Sequence, residues 1–288
     1  MDTVTWPLIA AALIPAIALC IFIYIKDRAE KEPLGLLLRL FIFGALASVP
    51  IILCESILSA IIDGAFAPYA TVIEGEMFFS DDNAFRLHTA LSNFLNVAPA
   101  EEGFKLLVLY LFTRKNKNFN SLFDGLIYAI FVSLGFAALE NVLYVMSYGW
   151  SVAIMRAILS VPGHMFFAVM MGYNYTTWNI YRKAAILENT LAASGLISIR
   201  GRAISSKKHM IGAFIVPVLC HGFYNYCCTV GSVISMLVFF AFVIFLYIFC
   251  FIRIHKMSKA DGPDLGFASA IIAKKYPEFA ASVPVANK

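Results

Sequence analysis

Ionisable side chains lie inside long apolar stretches of this 288-residue sequence, where ordinary packing would place none. An ionisable group at membrane depth costs several kcal/mol, and it is retained where it pairs with another group or has a function. Carboxylates, a lysine and imidazoles together are the groups that hydrolytic sites use. The residues are Glu101, Glu102, Lys105, Glu140, His164 and His221.

This combination of groups can activate water. A carboxylate takes a proton from water, while a histidine or an amide stabilises the oxyanion of a tetrahedral intermediate. Alternatively, His164, His221 and Glu140 bind Zn²⁺, which generates the hydroxide. The HExxH motif of zincins and the GxSxG motif of serine hydrolases do not occur in the sequence. The residues therefore indicate hydrolysis by water that either a carboxylate or a metal activates.

The composition predicts that these residues lie in a membrane. The chain is 61% hydrophobic and 14% charged, with a mean hydropathy of +0.80, whereas soluble domains carry about 25% charged residues. A spanning helix needs about 20 apolar residues. We therefore expect an all-α polytopic membrane helix bundle with about seven transmembrane helices. The apolar runs are roughly 5–25, 34–62, 89–113, 121–147, 152–181, 209–228 and 232–252.

The connectors between the runs alternate in charge. Segments 26–33, 114–120 and 182–208 are rich in Lys and Arg, as is the start of the tail, whereas segment 63–88 is acidic. The positive-inside rule then places the N-terminus outside and the C-terminus in the cytoplasm. Segment 63–88 is interpreted as containing a short amphipathic helix on the outer surface.

The domain organisation that follows is simple. Residues 1–259 form the transmembrane helical domain, and its motif-bearing core covers about 90–230. Residues 260–288 contain three prolines and little periodicity, so we expect a loosely ordered cytoplasmic tail.

Four runs place polar groups at one depth. With a rise of about 1.5 Å per residue, the two glutamates of the third run, Glu140, His164 and His221 all fall between the midplane and the outer boundary. Such a shared depth predicts one common site.

Local spacing refines the site. Glu101 and Lys105 are i,i+4 and share a helix face, as do His221 and Asn225. Glu102 points about 100° away from Glu101, so we expect that both cannot face one partner equally.

A proline precedes each cluster: Pro99, Pro162 and Pro217. Each proline frees a backbone carbonyl and bends its helix. Such breaks occur at membrane depth where they line a cavity.

Four motifs in chain order resemble those of the PrsW family of membrane proteases, a distant relative of the CAAX-processing proteases. The motifs are EExxK at 101–105, FxxxEN at 136–141, the segment from Arg156 to His164, and HGFYN at 221–225. The resemblance implies an intramembrane endopeptidase of the bacterial cytoplasmic (inner) membrane. In the best-known branch of that family, the substrate is an anti-sigma factor that is cut at an extracytoplasmic site.

The resemblance also implies the roles of individual residues. Positions matching those regarded as catalytic are Glu101, Glu102, Glu140 and His164, and His221 and Asn225 match the last motif. The expected partners are a single-pass membrane protein substrate and the lipid bilayer. No nucleic-acid partner is expected.

Two other functions use the same residue types. Buried Glu and His chains also carry ions in transporters, although the repeat symmetry typical of many transporters is not visible in the sequence. A non-catalytic scaffold that binds transmembrane partners is the other alternative.

Overall fold

The structure, a computed structural model, describes residues 5–28, 30–74 and 76–282. Nearly all of this part of the chain is helical. The described strands form a short antiparallel hairpin, β1 (Ala70–Ile73) with β2 (Glu76–Phe79), and loops connect the helices. The helices are α1 (Thr5–Lys26), α2 (Leu34–Leu46), α3 (Ser48–Phe66), α4 (Asp82–Leu91), α5 (Ala98–Thr113), α6 (Asp124–Tyr148), α7 (Trp150–Met155), α8 (Val161–Ala193), α9 (Lys207–Val230), α10 (Val233–Lys259), α11 (Asp264–Lys275) and α12 (Pro277–Ser282).

Among the described residues, six helical stretches are long and apolar enough to cross a membrane. The predicted all-α polytopic membrane protein is therefore confirmed. α5 has 16 residues and carries three charged side chains in its first half, so the predicted run at 89–113 is not one of the six. The total of seven spans stays a prediction. The six stretches are Trp6–Lys26, Leu34–Tyr69, Asp124–Tyr148, Trp150–Ala193, Lys207–Val230 and Val233–Lys259.

Helix α6 is the centre of the bundle and packs against α1, α2 and α8. Its contact with α2 is made by backbone on both sides. A Cβ atom on Gly44 would lie 2.0 Å from the carbonyl oxygen of Val132, and one on Gly135 would lie 1.9 Å from that of Phe41. Small residues allow this close approach of helices in a membrane protein, and it holds α6 rigidly behind the polar residues.

Two of the three prolines follow π-helical segments. Pro99 lies two residues after the segment Ser92–Val97, and Pro162 lies two residues after Arg156–Ser160. Proline has no N–H to donate to the carbonyl four residues earlier, and its ring clashes with that carbonyl. The wider turn of a π-helix removes the clash. The carbonyl of Ile158, which Pro162 leaves free, accepts a hydrogen bond of 2.6 Å from the hydroxyl of Tyr247.

The acidic connector 63–88 contains more than the expected amphipathic helix. The hairpin occupies its middle, because residues such as Val72, Ile73 and Phe78 favour a strand. A helix begins at Asp82, where the Asp81 side chain accepts hydrogen bonds from the backbone of the first turn.

The tail also differs from its expected loose order, because α11 packs against α8. Asp264 is buried, accepts a hydrogen bond from Asn179 and pairs with Lys183. Glu188 accepts hydrogen bonds of 2.5 Å from both Lys275 and Tyr276. These acceptors and donors lie about 80 residues apart in the chain, so local composition does not reveal them. Residues 283–288 of the predicted tail lie outside the described residues.

Candidate functional site

Helix α5 supplies the charged centre of the site. The ammonium of Lys105 lies 2.8 Å from Oε2 of Glu101 and 2.9 Å from Oε1 of Glu102. The expectation that the two glutamates could not face one partner equally is therefore wrong. The lysine side chain is long enough to lie between the i−3 and i−4 positions, and its ammonium has three donors. All three residues are buried.

Helix α8 places His164 between α5 and α6, the helices that carry Glu101, Glu102 and Glu140. Nδ1 of His164 lies 3.2 Å from the ammonium of Lys105, and Nε2 lies 2.9 Å from Oε2 of Glu140 on α6. An ammonium can only donate, so Nδ1 accepts and the imidazole proton is on Nε2. His164 is therefore neutral in this arrangement, and its Nε2–H donates to Glu140.

Helix α9 supplies the second imidazole. Nδ1 of His221 lies 2.9 Å from Oε1 of Glu102, so its N–H donates to the carboxylate and Nε2 is left for another partner. The ring stacks on Phe167, with centroids 4.7 Å apart. The centroids of the His164 and His221 rings are 5.4 Å apart and the rings are perpendicular. Oε2 of Glu101 lies 3.9 Å from Nδ1 of each ring.

Arg156 and Asn141 hold Glu140 from its other side, and the site prediction included neither. Nη2 of Arg156 lies 2.9 Å from Oε2 of Glu140, and its Nε donates to Oδ1 of Asn141. The Asn141 amide in turn donates to the backbone carbonyl of Ala12 in α1. The adjacent E and N of the second motif, Glu140 and Asn141, thus both contact Arg156: Glu140 pairs with its charge, and Asn141 fixes its position.

These groups surround a cavity of about 620 Å³. Five of the six predicted site residues line it, including Asn225, one turn after His221 on α9. The sixth, Glu102, lies behind the wall and is fully buried. Lys105 was not among the predicted site residues, although its i+3 and i+4 spacing from two glutamates was a usable signal. The five are Glu101, Glu140, His164, His221 and Asn225.

One group of side chains could hold a divalent cation. Ligand atoms of Glu101, Glu102, His164 and His221 all lie within 4.8 Å of one another. Two imidazoles and two carboxylates are ligands that Zn²⁺ accepts. This set differs from the predicted one of His164, His221 and Glu140, because the Glu140 carboxylate pairs with His164 and Arg156 and is not part of the group around Lys105.

The same four residues already surround a cation, because the Lys105 ammonium contacts three of them. A metal ion would occupy this space only after the lysine moved aside. One buried oxygen, Oε2 of Glu102, has no hydrogen-bond partner and would be available to such an ion. The donor types therefore fit zinc, and the lysine competes with it.

Comparison with known proteins identifies the family. A family model described as PrsW family intramembrane metalloprotease matches residues 32–252. A Protease PrsW of Geobacillus kaustophilus (strain HTA426) is 32% identical over 220 residues, which cover 76% of this chain and 78% of the relative.

Two further relatives are similar over more of the chain. The Protease PrsW of Oceanobacillus iheyensis is 31% identical over 252 residues, covering 88% of this chain and 96% of the relative. That of Bacillus subtilis (strain 168) is 29% identical over 238 residues, covering 82% and 90%. No solved structure matches the chain significantly.

The matched region contains all six predicted site residues, and the protease assignment is favoured over the transporter and the scaffold. An intramembrane protease acts on a membrane protein substrate within the bilayer. The chain belongs to the PrsW family, and it is a multi-pass, membrane-embedded protease of bacterial type.

Proposed function

We propose that this protein is an endopeptidase that hydrolyses a peptide bond of a single-pass, membrane-anchored protein, an anti-sigma factor in the family's manner. The observation that carries the proposal is the contact between Glu140 and His164. It joins a carboxylate and an imidazole from separate helices at the wall of one cavity. A cavity lined by ionisable groups admits water where the surrounding helices exclude it.

Glu140 is proposed as the general base. Its side chain is 20% exposed to the cavity, whereas those of Glu101 and His164 are 7% and 6% exposed. Arg156 and the Nε2–H of His164 both contact its carboxylate and orient it towards the cavity. Glu140 takes a proton from water while the water oxygen bonds to the carbonyl carbon of the substrate. The protonated Glu140 then gives that proton to the amine nitrogen as the C–N bond breaks.

Asn225 and the imidazolium form of His221 are proposed to stabilise the oxyanion, because Nδ1–H of His221 donates to Glu102 and a donor at Nε2 requires the doubly protonated ring. They lie one helical turn apart on α9 and both face the cavity. Glu102 accepts from Nδ1 of His221 and so sets the orientation of the ring, as an outer carboxylate does for a functional histidine. Lys105 holds Glu101 and Glu102 in place, and Glu101 lies close enough to both imidazoles to stabilise positive charge on either.

If a metal is used, the four residues that would hold it are Glu101, Glu102, His164 and His221. A bound zinc ion would supply a water of lowered pKa and polarise the substrate carbonyl. The carboxylate-based route above needs only the residues and contacts described.

We propose that the protein lies in the bacterial inner membrane and crosses it seven times. Its N-terminus is then outside and its C-terminus in the cytoplasm. The end of α1, where the basic connector before α2 begins, contacts the end of α10, because Ser258 donates to the carbonyl of Lys26. The connector before α6 contacts the tail, because Ser121 donates to Asp261. These basic connectors thus share one face of the bundle. The chain must therefore return through α4 and α5 from the hairpin to this face, which supports a seventh crossing.

The proposal is tested with purified protein in liposomes and a single-pass reporter tagged on both sides. We expect Glu140→Gln and His164→Ala to lower the cleavage rate about 10²–10⁴-fold, the range for loss of acid–base catalysis. Glu76→Gln, at an exposed position of β2, should leave the rate unchanged. Equal rates for the parent and both site variants would reject the mechanism. Elemental analysis of the protein with and without a chelator, compared with the cleavage rates, shows whether cleavage requires a bound metal.

A further inference from the structure

Glu55 on α3 is a carboxylate that the mechanism above does not use. It lines the same cavity as Glu101 and Glu140. The α3 residues that face the cavity are Ser48, Ile51, Ile52 and Glu55, which form one stripe at i, i+3, i+4 and i+7.

Glu55 has no cation of its own. Glu101 is paired with Lys105, and Glu140 with Arg156. Within the described residues, Glu55 is the one cavity-lining carboxylate without an ion pair. Its Oε1 atom is buried and has no hydrogen-bond partner. A buried carboxylate oxygen without a partner is costly, and a cationic group beside it would remove that cost.

The backbone around Glu55 is held firmly. The amide of Asn96, in the π-helical segment before α5, donates to the carbonyl of Glu55 at 3.1 Å and to the hydroxyl of Ser59 at 2.9 Å. Asn96 is fully buried. This bridge fixes the turn of α3 that carries Glu55 against the helix that carries the charged centre, so the carboxylate is positioned rather than merely present.

The charge around the cavity points to the kind of group that fits. Four carboxylates lie at or just behind the cavity wall, those of Glu55, Glu101, Glu102 and Glu140. Against the charges of Lys105 and Arg156 they give this set a formal charge of −2 with neutral imidazoles and −1 with His221 protonated, so the set is negative in both forms. Beside Glu55, Ile51 and Ile52 offer an apolar wall. An aliphatic stem with a cationic end, as in Lys or Arg, matches both features.

We infer that Glu55 forms a specificity subsite for a basic side chain of the substrate, close to the bond that is cut. This rests on the proposed function, because it assigns the cavity to the substrate. Glu55 is a recognition residue here and takes no part in proton transfer.

The test uses single-pass reporters in which each juxtamembrane position carries Lys, Gln or Glu in turn. At one position or a short run of positions, the parent should cut the Lys reporter about tenfold faster than the Gln reporter, and the Glu reporter should be slowest. In Glu55→Gln the Lys-to-Gln ratio should fall to about one, and in Glu55→Lys the preference should reverse towards Glu. Glu76→Gln is the matched control and should keep the parent's ratios.

The same ratios at every position in the parent and in Glu55→Gln would overturn the inference, whether or not Glu55→Lys folds. A second measurement separates this failure from failure of the proposed function. Retention of the reporters by Glu140→Gln is compared with retention by Glu140→Gln/Glu55→Gln. Selective retention of Lys reporters by the first variant alone supports the subsite without any cleavage, and equal retention refutes it. A parent that cuts no reporter rejects the peptidase proposal itself.

Discussion

The ammonium of Lys105 lies 3.2 Å from Nδ1 of His164, and this contact determines which imidazole nitrogen carries the proton. It links the charged centre on α5 to the Glu140–His164 pair across two helices. Lys105 thus pairs with two carboxylates and also orients the histidine that contacts a third.

Replacing Lys105 should expose the cost of this arrangement. Lys105→Met leaves Glu101 and Glu102 buried without their cation, and loss of one partner of a buried ion pair costs about 3–5 kcal/mol. Because the four ligand residues are then freed, zinc should raise the thermal midpoint of the variant more than that of the parent. Thermal unfolding in detergent with and without zinc measures both effects.

Lys105→Met/Glu102→Gln is the control for that experiment, because it removes one of the unpaired charges. Its stability should lie between those of the parent and Lys105→Met. A Lys105→Met protein as stable as the parent, with no added response to zinc, would contradict the assignment of Lys105 as the resident cation.

Arg156 is expected to position Glu140 through two contacts, one to the carboxylate and one to Asn141. Arg156→Lys keeps the charge but cannot make both contacts, because it lacks the planar guanidinium. We expect kcat to fall about tenfold with KM little changed, since remote misplacement of a catalytic group lowers the chemical step. Asn141→Ala should show the same split, measured as initial rates over a range of reporter concentrations.

Thermal unfolding of the Arg156→Lys and Asn141→Ala variants separates positioning from loss of the fold. An unchanged kcat in Arg156→Lys would show that charge alone suffices.

The hydroxyl of Tyr247 should matter because of Pro162. Tyr247→Phe leaves the carbonyl of Ile158 without its partner, and we expect a loss of about 1 kcal/mol in the free energy of unfolding. In Pro162→Ala the backbone N–H is restored and can donate to that carbonyl. The cost of Tyr247→Phe should therefore shrink in the Pro162→Ala background, which a double-mutant cycle on the unfolding free energies measures. Equal costs in both backgrounds would show that the two residues act independently.

The cytoplasm-facing end of the bundle, in the proposed orientation, should make stability depend on pH. Burial, with the charges of Asp124 and Asp27 nearby, raises the pKa of Glu32 to about 8. Burial also raises the pKa of Asp27 to about 6. In an unfolded chain these pKa values are about 4. Between pH 4 and pH 8 the folded state therefore holds protons that the unfolded state has released, so stability falls as the pH rises.

Glu32→Gln removes the larger of these two effects. At pH 8 we expect its thermal midpoint to lie about 5 °C above that of the parent, and at pH 5 the two should nearly coincide. Glu30→Gln, at an exposed neighbouring position, should show no such difference. A constant offset between Glu32→Gln and the parent across this range would show that no proton is linked to Glu32.

Much of the site could be predicted from residue types and depth. Glu101, Glu140, His164 and His221 stand at similar distances from the ends of separate apolar runs, and the structure brings them together because helices in a bundle keep side chains at the depth set by their rise. The catalytic roles of these residues and of Asn225 stay predictions. Pro99 and Pro162 marked the elements that position the site, because a missing backbone donor has a local effect that the sequence shows directly.

Other features could not be predicted in this way. Helix periodicity separates Glu101 from Glu102 by about 100°, yet one flexible lysine reaches both. The pairing of Arg156 with Glu140 and Asn141 depends on how α6 meets the second π-helical segment, which begins at Arg156. Composition suggested a loose tail, but Asp264 and Glu188 find partners that lie far away in the chain.

The sequence by itself determined the class of the protein, the helices that carry its polar groups and the depth at which they lie, because hydropathy and helical rise are local properties. Only the tertiary structure decided which charged side chains pair with one another. Helix rotation and crossing position the ammonium of Lys105 among Glu101, Glu102 and His164. Among the described residues, they leave the Glu55 carboxylate in the cavity wall without an ion pair. Those pairings depend on contacts across the bundle, and no local pattern in a chain encodes the angle at which two helices meet.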